Sequence, residues 1–151
     1  MSGLAHADSF RDLIVYKKSR ELQREILNLT RSFPRDEAFA LTSQIRRSSR
    51  SIGANIAEAW AKRRYEKHFI SKLTDSDGEQ METQHWIETA LECGYINEQV
   101  SKSLNQKCLE IGRMLGGRWI KPICSAAIRP AQSANLPPSI TLTPTALMTD
   151  H

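Results

Sequence analysis

Apolar and small residues between Leu41 and Lys62 recur at alternating steps of three and four positions. An α-helix has 3.6 residues per turn, so side chains spaced in this way share one face of a helix. The stripe consists of Leu41, Ile45, Ser48, Ile52, Ile56 and Ala59. We therefore predict a core helix in this segment, ending near Arg63.

Three other segments show the same helical period. We predict a first helix over residues 9–30, a third over 65–93 and a fourth beginning at residue 97. Pro34 ends the first pattern, because the residue before a proline is pushed out of the helical region. Gly94 is a favourable stop for the third helix, since glycine readily adopts the left-handed conformation.

The middle of the third stripe is polar, with Ser76 and Gln80 at positions that should face the core. A short loop makes the second and third helices antiparallel, which brings the turn containing Asn55 level with Ser76. Asn55 and Glu58 lie one turn apart beside the second stripe. We predict that these four side chains form a buried or half-buried polar layer, with Asn55 and Glu58 satisfying groups of the third helix. Gly78 in the third helix indicates a close helix approach, a bend or a frayed turn.

Four amphipathic helices joined by short loops close most simply as an antiparallel, up-down-up-down four-helix bundle. We predict an all-α protein with this bundle over residues 9–121, preceded by a flexible leader over 1–8. Residues 122–151 are rich in Ser, Thr and Pro and have little periodic apolar surface. Such a composition is typical of a disordered tail.

Composition narrows the class of protein. The chain has 151 residues, enough for one domain, and a net charge of +4. Cys93, Cys108 and Cys124 form no CxxC pair, which indicates neither a disulfide framework nor a zinc site and suits the reducing cytoplasm. We predict that Cys93 and Cys108 are small buried groups. No run of eighteen apolar residues indicates a membrane span.

Basic residues are concentrated in the second helix and the turn that follows it. The candidate nucleic-acid-binding residues are Arg46, Arg47, Arg50, Lys62, Arg63, Arg64 and Lys67. Such a face can hold phosphates with salt-sensitive affinity and no sequence specificity. The alternative is a solvated helix face that forms salt bridges between subunits. Trp60 and Tyr65 are nearby, but no run of aromatic residues indicates base stacking.

No segment indicates catalysis. Glu82 and His85 have the Glu-x-x-His spacing of half a di-iron site, but His68 lacks a Glu three positions earlier. The stripe through Thr83 and Ile87 also turns His85 away from the bundle axis. The chain has no phosphate-binding glycine loop or nucleophile elbow. We therefore expect no enzyme activity, metal, cofactor or small-molecule substrate.

Three segments resemble a known family: FRDLIVYKKSRELQ, FPRDEAFALTSQIRRSSRSIGANIAEA and METQHWIETALECGYI. They are similar to the bacterial four-helix bundle family named after the 23S rRNA intervening-sequence protein, whose older label is S23 ribosomal protein. The similarity spans residues 10–122. One departure is Ala59, where the family usually has Gly.

The resemblance implies an antiparallel four-helix bundle that assembles as a ring-like homopentamer. A related branch is the accessory variability protein of diversity-generating retroelements, which associates with a reverse transcriptase and with nucleic acid. The implied partners are therefore copies of this chain and RNA, DNA or a nucleic-acid enzyme. Our function hypothesis is a non-enzymatic homo-oligomeric scaffold that binds such a partner through its basic face. The alternative is a self-assembling protein-protein interaction module with no role in nucleic-acid binding.

Overall fold

The computed structural model describes residues 7–116, and this part of the chain contains four α-helices and no strand. The helices are α1 (Ile14–Thr30), α2 (Leu41–Ala61), α3 (Glu66–Glu92) and α4 (Glu98–Gly116). The predicted all-α four-helix bundle is confirmed. No helix within 7–116 is both long and apolar enough to cross a membrane. The predicted leader lies largely, and the predicted tail entirely, outside the described residues.

Hydrogen bonds between α2 and α3 show that these helices are antiparallel. The Thr83 hydroxyl lies 2.9 Å from Ser48 Oγ, and the Ser76 hydroxyl donates to the Ile52 carbonyl at 2.8 Å. Residue numbers thus rise along α2 as they fall along α3. The short connection between the helices leaves no other arrangement that buries both stripes.

Ion pairs show that α1 and α4, which close the bundle, are also antiparallel. Lys18 forms an ion pair with Glu110 at 2.9 Å, and Lys107 forms one with Glu21 at 3.1 Å. The numbers again run in opposite directions, so α4 returns alongside α1. Each helix therefore packs against its two neighbours around one core.

The stripe predicted for α2 is buried along its whole length. Each member has a relative exposure of 4% or less: Leu41, Ile45, Ser48, Ile52, Ile56 and Ala59. Phe69 of α3 is the largest of the fully buried side chains. Burial of these apolar groups is the main favourable term in folding.

The first helix begins later than predicted. Residues Phe10–Asp12 form a separate 3-10 turn, capped by Ser9, and Leu13 is extended with φ −66° and ψ 127°. The Ser9 and Asp12 side chains satisfy backbone N–H groups of this turn in a capping box. That local hydrogen bonding competes with helix continuation, so α1 starts at Ile14.

Close helix approaches occur at glycines other than Gly78. A Cβ atom on Gly53 would lie 3.0 Å from Ser19 Oγ, and one on Gly112 would lie 2.7 Å from Gln80 Nε2. Gly78 is exposed within continuous α3, and a Cβ there would have no atom within 4 Å. Gly78 therefore does not mark a close approach. Gly94 follows α3 with φ 74°, which confirms the predicted left-handed stop.

Replacing Gly78 with alanine should raise the free energy of unfolding by about 0.5–1 kcal/mol. The added methyl group meets no atom, while alanine lowers the conformational entropy lost when the helix forms. Urea denaturation followed by circular dichroism measures the change. Gly94→Ala is the control and should destabilise the protein, because its positive φ disfavours a side chain. Destabilisation by Gly78→Ala would show that α3 is interrupted at this turn.

Candidate nucleic-acid interface

The three arginines in the first half of α2 have different surroundings. Arg46 donates from Nε to the Thr30 hydroxyl of α1 at 2.7 Å. Arg47 reaches in the opposite direction, to Glu79 and Glu82 of α3. Arg50 is exposed and has no ion pair within residues 7–116. Successive positions of a helix are 100° apart, so adjacent arginines need not form one patch.

Arg47 belongs to a network that joins α2 to α3. Its guanidinium contacts Glu79 at 3.4 Å and also pairs with Glu82, whose carboxylate accepts a hydrogen bond from Trp86 Nε1 at 3.1 Å. The hydrogen bond from Arg47 lowers the pKa of Glu82 and raises the pKa of Arg47 itself. Much of the Arg47 charge is therefore already compensated within the bundle.

Four of the predicted basic residues lie at the turn between α2 and α3, and we call Lys62, Arg63, Arg64 and Lys67 the turn cluster. Arg63 is stacked over the Trp60 ring at 4.7 Å and donates to the Trp60 carbonyl at 3.0 Å. The other three side chains are exposed, and none forms an ion pair in the described part of the chain. Lys62 has a longer-range electrostatic interaction with Glu58, and Glu66 lies between Arg64 and Lys67 in the chain. The four cations still leave the turn cluster with a net positive charge that faces solvent.

The predicted basic residues do not form one continuous cluster. Arg50 and Lys62 are about three turns apart, or roughly 18 Å along α2. Tyr65 lies within the turn cluster and is 68% exposed. The spacing of residues in the sequence does not predict how exposed the Tyr65 ring is, because its exposure depends on the conformation of the loop after α2.

Acidic residues are concentrated on α3: Glu66, Asp75, Asp77, Glu79, Glu82, Glu88 and Glu92. In contrast, α2 has one acidic residue, Glu58. The carboxylates of Glu21 and Glu25 on α1 both pair with Lys107 of α4. Both α1 and α2 therefore have an excess of basic residues, whereas α3 is strongly acidic.

Two members of the predicted polar layer are buried, Ser76 and Gln80. Ser76 binds the Ile52 carbonyl, while Gln80 donates to Asp77 at 3.0 Å and accepts from Gln84 at 2.6 Å. Both side chains find their partners on α2 or within α3.

Asn55 and Glu58 bind a group of the third helix, as predicted, but that group is not Ser76 or Gln80. Their shared partner is Lys72, which lies 3.3 Å from Asn55 Oδ1 and 2.7 Å from Glu58 Oε2. Asn55 is half-buried, whereas the Glu58 side chain is 57% exposed. The hydrogen bond from Lys72 lowers the pKa of Glu58. The long lysine reaches these groups at the edge of the α2–α3 contact, so they face solvent and not the core.

A polar contact that the sequence did not reveal lies between Ser48 and Thr83. Both side chains are fully buried, and their hydroxyls are 2.9 Å apart. The spacing of residues places Ser48 on the α2 stripe as one of its small members. Its polarity in an otherwise aliphatic stripe was the available signal.

The remaining candidates do not come together as a reactive centre. His85 is exposed and its ring lies 4.7 Å from that of Trp86. Cys93 is exposed, so the prediction that it is buried was wrong, because it lies at the end of α3. Cys108 is buried, and desolvation raises the pKa of its thiol to about 12. Residues 7–116 hold no group of three or more His, Cys, Asp or Glu side chains arranged to bind a metal ion.

Comparison with known proteins places the chain in a family. The sequence profile of the 23S rRNA-intervening sequence protein family matches residues 11–117. The chain belongs to this family. The match covers all four helices of this family member, including the basic segment of α2 and the turn cluster. No curated protein matches the chain.

A solved structure supports the same assignment. This 23S rRNA-intervening sequence family member is 35% identical to a Bacteroides thetaiotaomicron VPI-5482 protein from the S23 ribosomal protein family, with a TM-score of 0.62. The similarity covers 68% of this chain and 94% of the other. That protein is described as having unknown function. Membership therefore establishes the fold and leaves the activity open.

Proposed function

We propose that the protein is a non-enzymatic, homo-oligomeric scaffold that binds RNA, DNA or a nucleic-acid-associated protein through the basic side of α2. The observation that carries this proposal is the turn cluster. Lys62, Arg64 and Lys67 are exposed and form no ion pair in residues 7–116, although Lys62 has a longer-range electrostatic interaction with Glu58. Lysine and arginine side chains left free in this way release counterions from phosphates when they bind nucleic acid.

Exposed apolar groups support the oligomeric part of the proposal. Met81 of α3 is 60% exposed and Leu109 of α4 is 47% exposed, and both line one depression between these helices. Adjacent exposed apolar side chains commonly mark a protein-protein contact. The family resemblance favours a ring of five copies, which would repeat the turn cluster around the assembly. The free thiols of Cys93 and Cys108 agree with a cytoplasmic location.

A salt titration tests nucleic-acid binding. Fluorescence anisotropy of a labelled RNA of arbitrary sequence, with the purified full-length protein, should show an affinity that falls steeply between about 50 and 200 mM salt. A second RNA of unrelated sequence should bind equally well, because phosphate contacts carry no sequence information. Absence of binding at the lowest salt would contradict the proposal and favour the alternative, a protein-protein interaction module.

A separate variant tests assembly. Replacing Met81 and Leu109 together with glutamate should reduce the mass in solution, measured by light scattering coupled to size exclusion, to that of one 17.1 kDa chain. Two carboxylates would have to be desolvated in the contact, which is unfavourable. Circular dichroism should remain helical, since both side chains are exposed in the isolated bundle. A monomeric wild-type protein would contradict the homo-oligomer.

A further inference from the structure

A surface depression runs along the first half of α2, away from the turn cluster. Its volume is about 560 Å³. Its lining residues include Phe39, Thr42, Ser43, Arg46 and Arg50. Nothing in the proposed function requires a concave surface at this position, so these residues call for a separate explanation.

Phe39 supplies an aromatic ring at one end of the depression. The side chain is 97% exposed, whereas Phe33 and Phe69 are both buried. An aromatic ring in water gains free energy when a flat partner covers it. Phe39 immediately precedes Ala40, the N-cap of α2, so its position is set by the start of a long helix.

Thr42 gives an independent indication of a polar ligand. It lines the depression, is only 7% exposed, and its Oγ1 has no hydrogen-bond partner within residues 7–116. A buried hydroxyl without a partner costs free energy, and threonine in a helix usually bonds to a preceding carbonyl. At the start of α2, the N–H of Leu41 donates to Glu37 Oε2 at 3.2 Å. Ala40 provides no side-chain cap, and the N–H groups of Thr42 and Ser43 lack intrahelical partners.

Three arginines also line the depression, and one of them, Arg47, is already paired with Glu79 and Glu82. Arg46 and Arg50 are one helical turn apart, roughly 6 Å along the axis, and neither forms an ion pair in the described bundle. Arg46 uses Nε to bind Thr30 Oγ1, which anchors its side chain while leaving the two NH2 groups for a ligand. A helix N-terminus, a hydroxyl and two guanidinium groups together favour a phosphate-bearing ligand.

We propose that this depression binds a single-stranded segment of nucleic acid, with one base stacked on Phe39. Neighbouring phosphates contact the N-terminal turn of α2, Thr42 Oγ1, Arg46 and Arg50. The inference rests on the proposed function and makes it specific, because a base paired within a duplex has no free face for Phe39. The turn cluster, in contrast, can bind the backbone of either form.

An acidic peptide would satisfy the arginines but not the rest of the site. Peptides bound to grooves are held by pockets that take successive apolar side chains. Here the apolar surface beside the ring consists of the small side chains of Ala38, Thr42 and Ala54. A single exposed ring next to anion-binding groups therefore fits a nucleotide better than a peptide.

Replacing Phe39 with alanine tests the stacking contact. Affinity for a single-stranded RNA should fall about 5- to 100-fold, the range expected for loss of one stacked base. Affinity for a duplex RNA should stay within twofold, and the slope against salt should not change, since no charge is removed. Ile14→Ala is the matched control, because it removes an exposed apolar side chain from α1 that belongs to neither proposed contact. It should leave both affinities unchanged.

Thr42→Val tests the hydroxyl with little change in shape. Single-strand affinity should fall about tenfold, while thermal stability should be maintained or rise, because the hydroxyl has no partner in the bundle. The inference would be overturned if either variant lost the same affinity for single-stranded and for duplex RNA. It would also be overturned if Phe39→Ala lost no affinity for single-stranded RNA. If the salt-dependent binding persisted in that case, the proposed function would stand.

Two further results would also overturn the inference. The first is a fall in molecular mass with Phe39→Ala, which would place the ring in a contact between subunits. The second is competition by a polyglutamate peptide as strong as competition by unlabelled single-stranded RNA, which would assign the depression to an acidic protein.

Discussion

Replacing Phe69 with alanine should lower the free energy of unfolding by about 3–5 kcal/mol. The ring is 1% exposed and is the largest fully buried side chain in the described bundle. Its removal costs the transfer free energy of the ring and leaves a cavity that close-packed neighbours fill only in part. A domain of this kind is stable by only about 5–15 kcal/mol, so the variant should unfold at markedly lower urea concentration.

Tyr65 provides the matched control for Phe69. It lies one turn earlier, carries a ring of similar size and is 68% exposed. Tyr65→Ala should change the free energy of unfolding by less than about 0.5 kcal/mol. Similar losses in both variants would show that the face of α3 has been assigned incorrectly.

Replacing Lys62, Arg64 and Lys67 with alanine should weaken RNA binding on the order of 100-fold at about 0.1 M salt. Each side chain is exposed and has no ion pair within 7–116, so each is available for one phosphate. Loss of three phosphate contacts should also reduce the slope of log affinity against log salt by about three. Anisotropy titrations at several salt concentrations measure both quantities.

The control is a second triple variant that has the same net charge as the first but removes its three cations from other surfaces. Lys17 and Arg20 of α1 and Lys102 of α4 are exposed cations without ion pairs in the described chain. Their joint replacement with alanine should reduce affinity only a few-fold, through the general field of the protein. Equal effects of the two triple variants would mean that overall charge, and not the turn cluster, attracts RNA.

Much of the bundle could be predicted from the spacing of apolar residues. The α2 stripe from Leu41 to Ala59 is buried in full, and Gly94 ends α3 with a positive φ as expected. These features depend on contacts between residues close in the chain, or on which side of one helix faces away from water. Contacts between neighbours in the chain and the buried side of a helix can both be predicted from a single sequence.

Side-chain pairing across helices was less predictable. Asn55 and Glu58 were expected to meet Ser76 and Gln80, but Lys72 binds them at the edge of the interface. A lysine can reach several partners because its stem has many rotamers, so the choice depends on the relative position of two helices. Periodicity along one helix contains no such information.

The sequence by itself determined four helices, the face that each helix buries, and a concentration of positive charge in and after α2. Only the tertiary structure decided which charges stay available: Arg47 is paired with Glu79 and Glu82, whereas Arg50, on the same helix, is not. It also decided that Phe39 is exposed beside Thr42 and beside Arg46 and Arg50, which form no ion pair in the described bundle. The physical reason is that burial follows from local spacing, whereas charge compensation depends on side chains that only folding brings within a few ångströms.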